Sequence, residues 1–104
     1  MGERLSESEI LGKLVDVVDP ELGYSIVDLG LVYRAEHTES GIVVDFTLTS
    51  PACPVGEDIR TDIVLTLRER TNETRIQANI VWDPPWHPDR LTDEMKLELG
   101  FPIW

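Results

Sequence analysis

Thr47-Leu48-Thr49-Ser50-Pro51-Ala52-Cys53-Pro54-Val55-Gly56-Glu57-Asp58-Ile59 marks the point where an extended pattern gives way to a helical one. Upstream, Val44, Phe46 and Leu48 share one face at period two, as a half-buried strand requires. Downstream, Ile59, Ile63, Val64 and Leu67 form an apolar stripe at helical spacing, with Arg60, Asp62, Arg68 and Glu69 outside it. Two prolines bracket Cys53, the only cysteine. Proline fixes its own φ and biases its predecessor toward extended geometry. Ala52 is therefore expected to continue a strand-like path, and Pro54 to occupy the first turn of a helix. The segment is read as a rigid strand-to-helix junction carrying one thiol.

That thiol would lie near a helix N-terminus, where unpaired backbone N–H groups favour an anion. The terminus supplies roughly 0.3–1 kcal/mol, up to about 2 in partly buried geometry. Glu57 and Asp58 in the same turn oppose it, so only modest activation is expected. A lone free cysteine is most often a small buried apolar residue. Packing alone, however, gives no reason to flank it with two prolines.

Working outward, Ser6-Glu7-Ser8-Glu9 reads as a capping box, followed by Ile10, Leu11, Leu14, Val15 and Val18 on one helical face. Pro20 is expected to stop this helix at about Val18. Asp19-Pro20-Glu21 then opens a turn-rich segment in which Gly23 and Gly30 supply turn or bulge conformations. Turn initiation at Asp19 and a local backbone cap at Asp28 account equally well for those acids. From about Leu31 to His37 the chain reads as extended, Glu39-Ser40-Gly41 as a turn, and Ile42 to Thr49 as the return strand of a hairpin. After the central helix, Thr71-Asn72-Glu73 breaks the pattern, and Ile76, Ala78, Ile80 and Trp82 alternate as a third strand. That alternation assigns Trp82 to the core, whereas Trp86, on the stiff loop Asp83-Pro84-Pro85-Trp86-His87-Pro88, is the better surface candidate. Thr92 caps a last helix through about Leu99, with Gly100 at its C-terminus. The apolar tail Phe101-Pro102-Ile103-Trp104 is expected to dock on the domain or on a second copy.

The order helix–strand–strand–helix–strand–helix predicts a two-layer α+β sandwich, a small mixed three-stranded sheet with helices on one face. At 104 residues, the range 1–104 is expected to form one domain. One cysteine excludes a disulfide framework and a zinc site of the CxxC…CxxC kind, and suggests a reducing compartment. No basic-then-apolar leader or membrane-length run is present, so a cytoplasmic protein is expected. A net charge of −11 argues against nucleic-acid and anionic-membrane partners.

Four motifs then coincide. Asp19-Pro20-Glu21-Leu22, Ser25 to Val32, Leu48 to Pro54 and Val81-Trp82-Asp83-Pro84-Pro85-Trp86 stand in the order found in the MIP-eighteen family. This is the small domain of SufT- and PaaD-like proteins, also found at the N-terminus of some Mrp-type ATPases, and the resemblance spans about residues 6–100. It implies a fold similar to the NifU-type iron–sulfur scaffold domain and a role in maturing iron–sulfur proteins. It also places the family's cysteine on Cys53, its acidic pair on Asp19 and Glu21, and its hydroxyl on Thr49, with the Trp-Asp-Pro-Pro-Trp turn intact. The additional C-terminal cysteines of PaaD-like proteins are missing here, and no P-loop follows, which favours the stand-alone SufT-like branch.

Iron–sulfur clusters generally take four cysteine ligands, with occasional histidine. One thiol per chain cannot enclose a cluster, so any cluster would be labile and shared with a second copy, a partner or a small thiol. The expected function is an accessory factor in iron–sulfur cluster assembly or delivery, non-enzymatic, acting as adaptor or transient carrier with Cys53 as cluster ligand. Its partners would be the assembly machinery and client apoproteins; the apolar tail and the shortage of thiols both point to a homodimer. Asp19, Glu21 and His87 could add ligands, though carboxylates suit harder metals. Two further readings stand beside this one. A thiol enzyme would use Cys53 with His87 or His37 as base and Asp19 or Asp28 as orienting acid. A mononuclear metal site would use Cys53, His87 and the nearby acids. Trp82, Trp86 and Trp104 are the candidate anchors of an interaction surface.

Overall fold

The computed structural model describes residues 4–49 and 56–100. Ser6 accepts a hydrogen bond from the Glu9 backbone N–H, and the Glu9 carboxylate returns to the Ser6 N–H, so the capping box is complete and α1 runs Glu7–Leu14. That return bond is the main reason the Glu9 carboxyl is held below its ordinary pKa. The helix ends four residues before the expected stop. A turn from Val17 N–H to the Leu14 carbonyl redirects the chain into β1 (Val18–Asp19), which pairs antiparallel with β2 (Tyr24–Ser25). This two-residue ribbon was absent from the expected order because such short strands have no periodicity to read.

The hairpin forms as expected. β3 (Val32–Thr38) pairs antiparallel with β4 (Gly41–Phe46), with a register irregularity between Val32 and Arg34. The central helix, α2, runs Gly56–Arg70, and β5 (Ile76–Ile80) returns parallel to β4, giving the strand order β3-β4-β5. The sheet is therefore mixed and three-stranded. Ile42, Val44 and Phe46 of β4 are fully buried together with Ile59, Ile63 and Leu67 of α2 and Ile10 and Leu14 of α1. The opposite face carries a polar ladder in which Asn79 donates to Asp45 and Gln77 to Asn79, while Arg34 pairs with Glu36. Helices thus cover one face, and the other meets water through satisfied polar groups. Among the described residues no helix is long and apolar enough to cross a membrane.

Gly41 shows how tightly the sheet closes at the hairpin turn. Its φ is +125°, and a Cβ there would fall on the Arg75 carbonyl oxygen, which itself accepts the Ile42 N–H at 2.9 Å. Beyond β5 the chain passes a cis Asp83–Pro84 bond and a 3₁₀ turn, Pro88–Arg90, before α3 (Asp93–Leu99). Thr92 caps α3 and Gly100 closes it at positive φ, as expected. The expected docking of the tail at Phe101–Trp104 lies outside the described residues.

Candidate functional site

The thiol segment leaves β4 through Thr47, Leu48 and Thr49 and re-enters regular structure at Gly56. Cys53, with Pro51, Ala52 and Pro54, lies outside the described residues, but both ends of its segment are placed. A Cβ on Gly56 would stand 3.0 Å from Leu48 Cδ1 and 3.1 Å from Ile80 Cδ1, so α2 begins directly against the strand end from which the segment departs. Three further stretches meet there. Thr47 N–H donates to the Leu31 carbonyl at 2.8 Å, Val81 N–H to the Phe46 carbonyl at 2.8 Å, and the Trp86 indole N–H to the Leu29 carbonyl at 2.7 Å. The Arg90 guanidinium, 4.4 Å above the Tyr33 ring, donates to the Gly30 carbonyl at 2.9 Å. The motif around Ser25–Val32, the cysteine segment's ends and the Trp-Asp-Pro-Pro-Trp turn, far apart in sequence, are thereby tied together at one end of the sheet.

Asp19 is fully buried in β1. One carboxylate oxygen, Oδ1, accepts the Glu21 N–H at 2.8 Å and the Leu22 N–H at 3.4 Å, which is the turn-capping role that its position before a proline suggested. The other oxygen, Oδ2, is buried with no hydrogen-bond partner among the described residues. A buried acceptor without a donor is costly and rare, and calls for an explanation. Opposite Asp19 in the ribbon, burial and then the Glu98 carboxylate push the Tyr24 phenol above its ordinary range.

The remaining expected residues fall differently. Glu21 is exposed in the turn that Asp19 caps, and Thr49 is half-buried at the mouth of the cysteine segment. His87 is exposed and turned to its own loop, its Nδ1 accepting the Asp89 N–H at 3.1 Å. The two tryptophans exchange the places assigned to them. Trp82 is 47% exposed because β5 ends at Ile80, whereas Trp86 packs against the core and is anchored by its indole N–H. Trp86 is half-buried, and its indole bond clamps the loop onto Leu29. His37 pairs in register with Ile42, four residues or about 13 Å along β4 from the strand end at Phe46 where the cysteine segment departs. Asp28 is exposed on the 26–30 turn. Among the described residues no three His, Asp or Glu side chains converge as a metal-binding group.

Thr47 is the residue that sequence reading missed. Alternation puts it on the polar face, yet it is fully buried and its hydroxyl has no partner among the described residues. The strand pattern stops at Phe46, and the next residue is tied instead to the Leu31 carbonyl by its backbone N–H.

Comparison with known proteins agrees with the motifs. A family model described as iron–sulfur cluster assembly protein matches residues 7–78. The chain is 41% identical over 101 residues to the Fe-S protein maturation auxiliary factor YitW of Bacillus subtilis, covering 96% of this chain and 98% of that protein. It is 44% identical over 85 residues to the Fe-S protein maturation auxiliary factor SufT of Staphylococcus aureus, covering 81% and 97%. Among solved structures, a domain of unknown function from Bacillus anthracis superposes with a TM-score of 0.83 at 38% identity, covering 92% of both chains. The chain belongs to the iron–sulfur cluster assembly protein family, on the SufT-like branch that its four motifs indicated.

Proposed function

We propose that this protein is an accessory factor in the maturation of iron–sulfur proteins, acting as an adaptor or a transient cluster carrier through Cys53. The observation that carries this reading is near full-length similarity, at 41% identity, to a protein named as an Fe-S maturation auxiliary factor. The geometry supports it. The single thiol sits in a seven-residue connection, 49–55, between Leu48 and the start of α2, and two of the other motifs, 25–32 and 81–86, are tied by hydrogen bonds to the strand end from which that connection departs. Asp19, in the first of the four motifs, keeps one buried carboxylate oxygen without a donor among the described residues, on this reading an acceptor reserved for function. With one thiol per chain, a cluster would be held jointly by two copies or by a copy and a client, and would be released readily. The work of the chain is on this reading non-enzymatic.

Anaerobic reconstitution with iron and sulfide tests it, comparing wild type with Cys53→Ser by visible absorption and by size on a column. A chromophore that depends on Cys53 and travels with a dimer supports direct carriage. A chromophore of equal intensity in Cys53→Ser contradicts the assigned role of the thiol. Silence in both proteins, with client apoproteins still captured by wild type alone, selects the adaptor form.

A further inference from the structure

A second feature lies at the opposite end of the sheet and is used by nothing described above. The chain has only nine Lys and Arg against twenty Asp and Glu, yet Arg4, Lys13, Arg70 and Arg75 line one cavity of about 530 Å³. Four of the nine cations thus gather in one place on a protein of charge −11. The cavity lies between the start of α1, the β3–β4 turn and the α2–β5 connection. It is separated from the cysteine segment by the length of α2, fifteen residues or about 22 Å.

The cations differ in how they are held. Arg70 pairs with Asp16 at 2.8 Å and donates to the Lys13 carbonyl at 3.2 Å. Arg75 is neutralised by Glu73, whose carboxylate also accepts the Thr74 and Arg75 N–H groups and is held down at a pKa of about 2, chiefly by Arg75. His37 forms the floor. Its Nδ1 accepts the Leu5 N–H at 3.0 Å, so the proton sits on Nε2 and faces Glu73 at 3.4 Å. The floor is therefore a closed, internally satisfied network. Arg4 meets only Glu39 at 3.2 Å, with both side chains more than half exposed, a contact of the kind worth about 1 kcal/mol or less. Lys13 Nζ forms no hydrogen bond or ion pair within 4.0 Å among the described residues, its only charge contact being a longer-range one with Glu9 one turn earlier on α1. Lys13 and Arg4 are thus available over an ordered floor, beside the guanidinium of Arg70.

We propose that this cavity binds a small polyanion carrying two phosphate or carboxylate groups. The volume falls in the range of small-molecule sites. The lining carries four cations against two carboxylates, Glu39 and Glu73, and a small ligand senses that surplus of two rather than the more distant acids, because exposed charges are screened beyond about 8 Å at physiological salt. A nucleic-acid polymer would meet the acidic remainder of the surface and be repelled.

Pyrophosphate and citrate are the probes. Each is titrated into the full chain at 25 mM and at 500 mM NaCl by calorimetry, with amide shifts followed by NMR. The expected result is saturable one-site binding by at least one probe, weakened at least tenfold at high salt, with shifts centred on residues 4–13 and 70–75. The double variant Lys13→Gln with Arg4→Gln is expected to lose at least tenfold in affinity, while Arg34→Gln on the open sheet face loses less than twofold. Tighter binding of pyrophosphate assigns a phosphorylated ligand; tighter binding of citrate assigns a polycarboxylate. Absence of saturable binding by both probes up to 5 mM overturns the proposal, as does equal binding by the double variant with an unchanged thermal transition.

Discussion

Asp19 offers a way to separate what a residue does for the fold from what it does for function. Its Oδ1 carries one good hydrogen bond, 2.8 Å to the Glu21 N–H, and a long one, 3.4 Å to the Leu22 N–H, while its Oδ2 carries none. A bond from a backbone N–H to a charged acceptor contributes about 1.5–3 kcal/mol, and one beyond about 3.2 Å contributes little. Asp19→Ala is therefore expected to destabilise by about 1.5–3 kcal/mol. Asp19→Asn keeps the amide oxygen at the Oδ1 position and removes the carboxylate oxygen that lacks a donor. It is expected to lie within about 1 kcal/mol of wild type, since the bonds that cap the turn survive. Urea unfolding followed by far-UV circular dichroism, with both variants at a common m-value, measures this directly. If Asp19→Asn is as damaging as Asp19→Ala, the fold itself requires an oxygen rather than an N–H group at the buried Oδ2 position, and the case for an acceptor reserved for function collapses. If instead the asparagine variant is stable yet fails to support client maturation, the buried oxygen serves function.

Further predictions concern the frame around the site. Gly41→Ala combines a φ of +125° with a clash on the Arg75 backbone, and is expected to cost about 3 kcal/mol or more by the same unfolding measurement. Trp86→Phe removes the indole bond to the Leu29 carbonyl and is expected to cost about 1–2 kcal/mol, whereas Trp82→Ala, at an exposed position, changes stability by about 0.5 kcal/mol or less. Glu73 has a folded pKa lowered from 4.5 to about 2, so its stabilisation is complete above about 4.5 and is lost as pH falls toward 2. Glu73→Gln should accordingly flatten the acid limb of a stability-versus-pH curve within that window and leave the limb above pH 6 parallel to wild type.

How much was legible in the residues depended on whether a pattern repeated. The capping box at Ser6 and Glu9, the hairpin turn ending in Gly41 and the stripe from Ile59 to Leu67 are each periodic or stereochemically specific, and all three stand where they were read. The β1–β2 ribbon has only two residues per strand, so Val18 was assigned to the preceding helix by spacing alone. Trp82 extended an alternation that backbone pairing had already abandoned at Ile80, and Trp86 was placed outside because a proline-rich loop hides the tertiary acceptor at Leu29. Thr47 likewise followed the strand period, although a tertiary bond to Leu31 overrides it. The motifs located one end of the sheet well. The cationic cavity at the other end drew no notice, because its four basic residues are spread from Arg4 to Arg75 and only the fold assembles them.

The central claim, an accessory role in iron–sulfur maturation that runs through Cys53, is tested most directly in cells lacking this protein. The specific activity of iron–sulfur client enzymes, measured anaerobically and normalised to enzyme abundance, should fall in such cells, recover with the wild-type chain and stay low with an equally abundant Cys53→Ser chain. Unchanged client activity without the protein, or full recovery with Cys53→Ser, would contradict it.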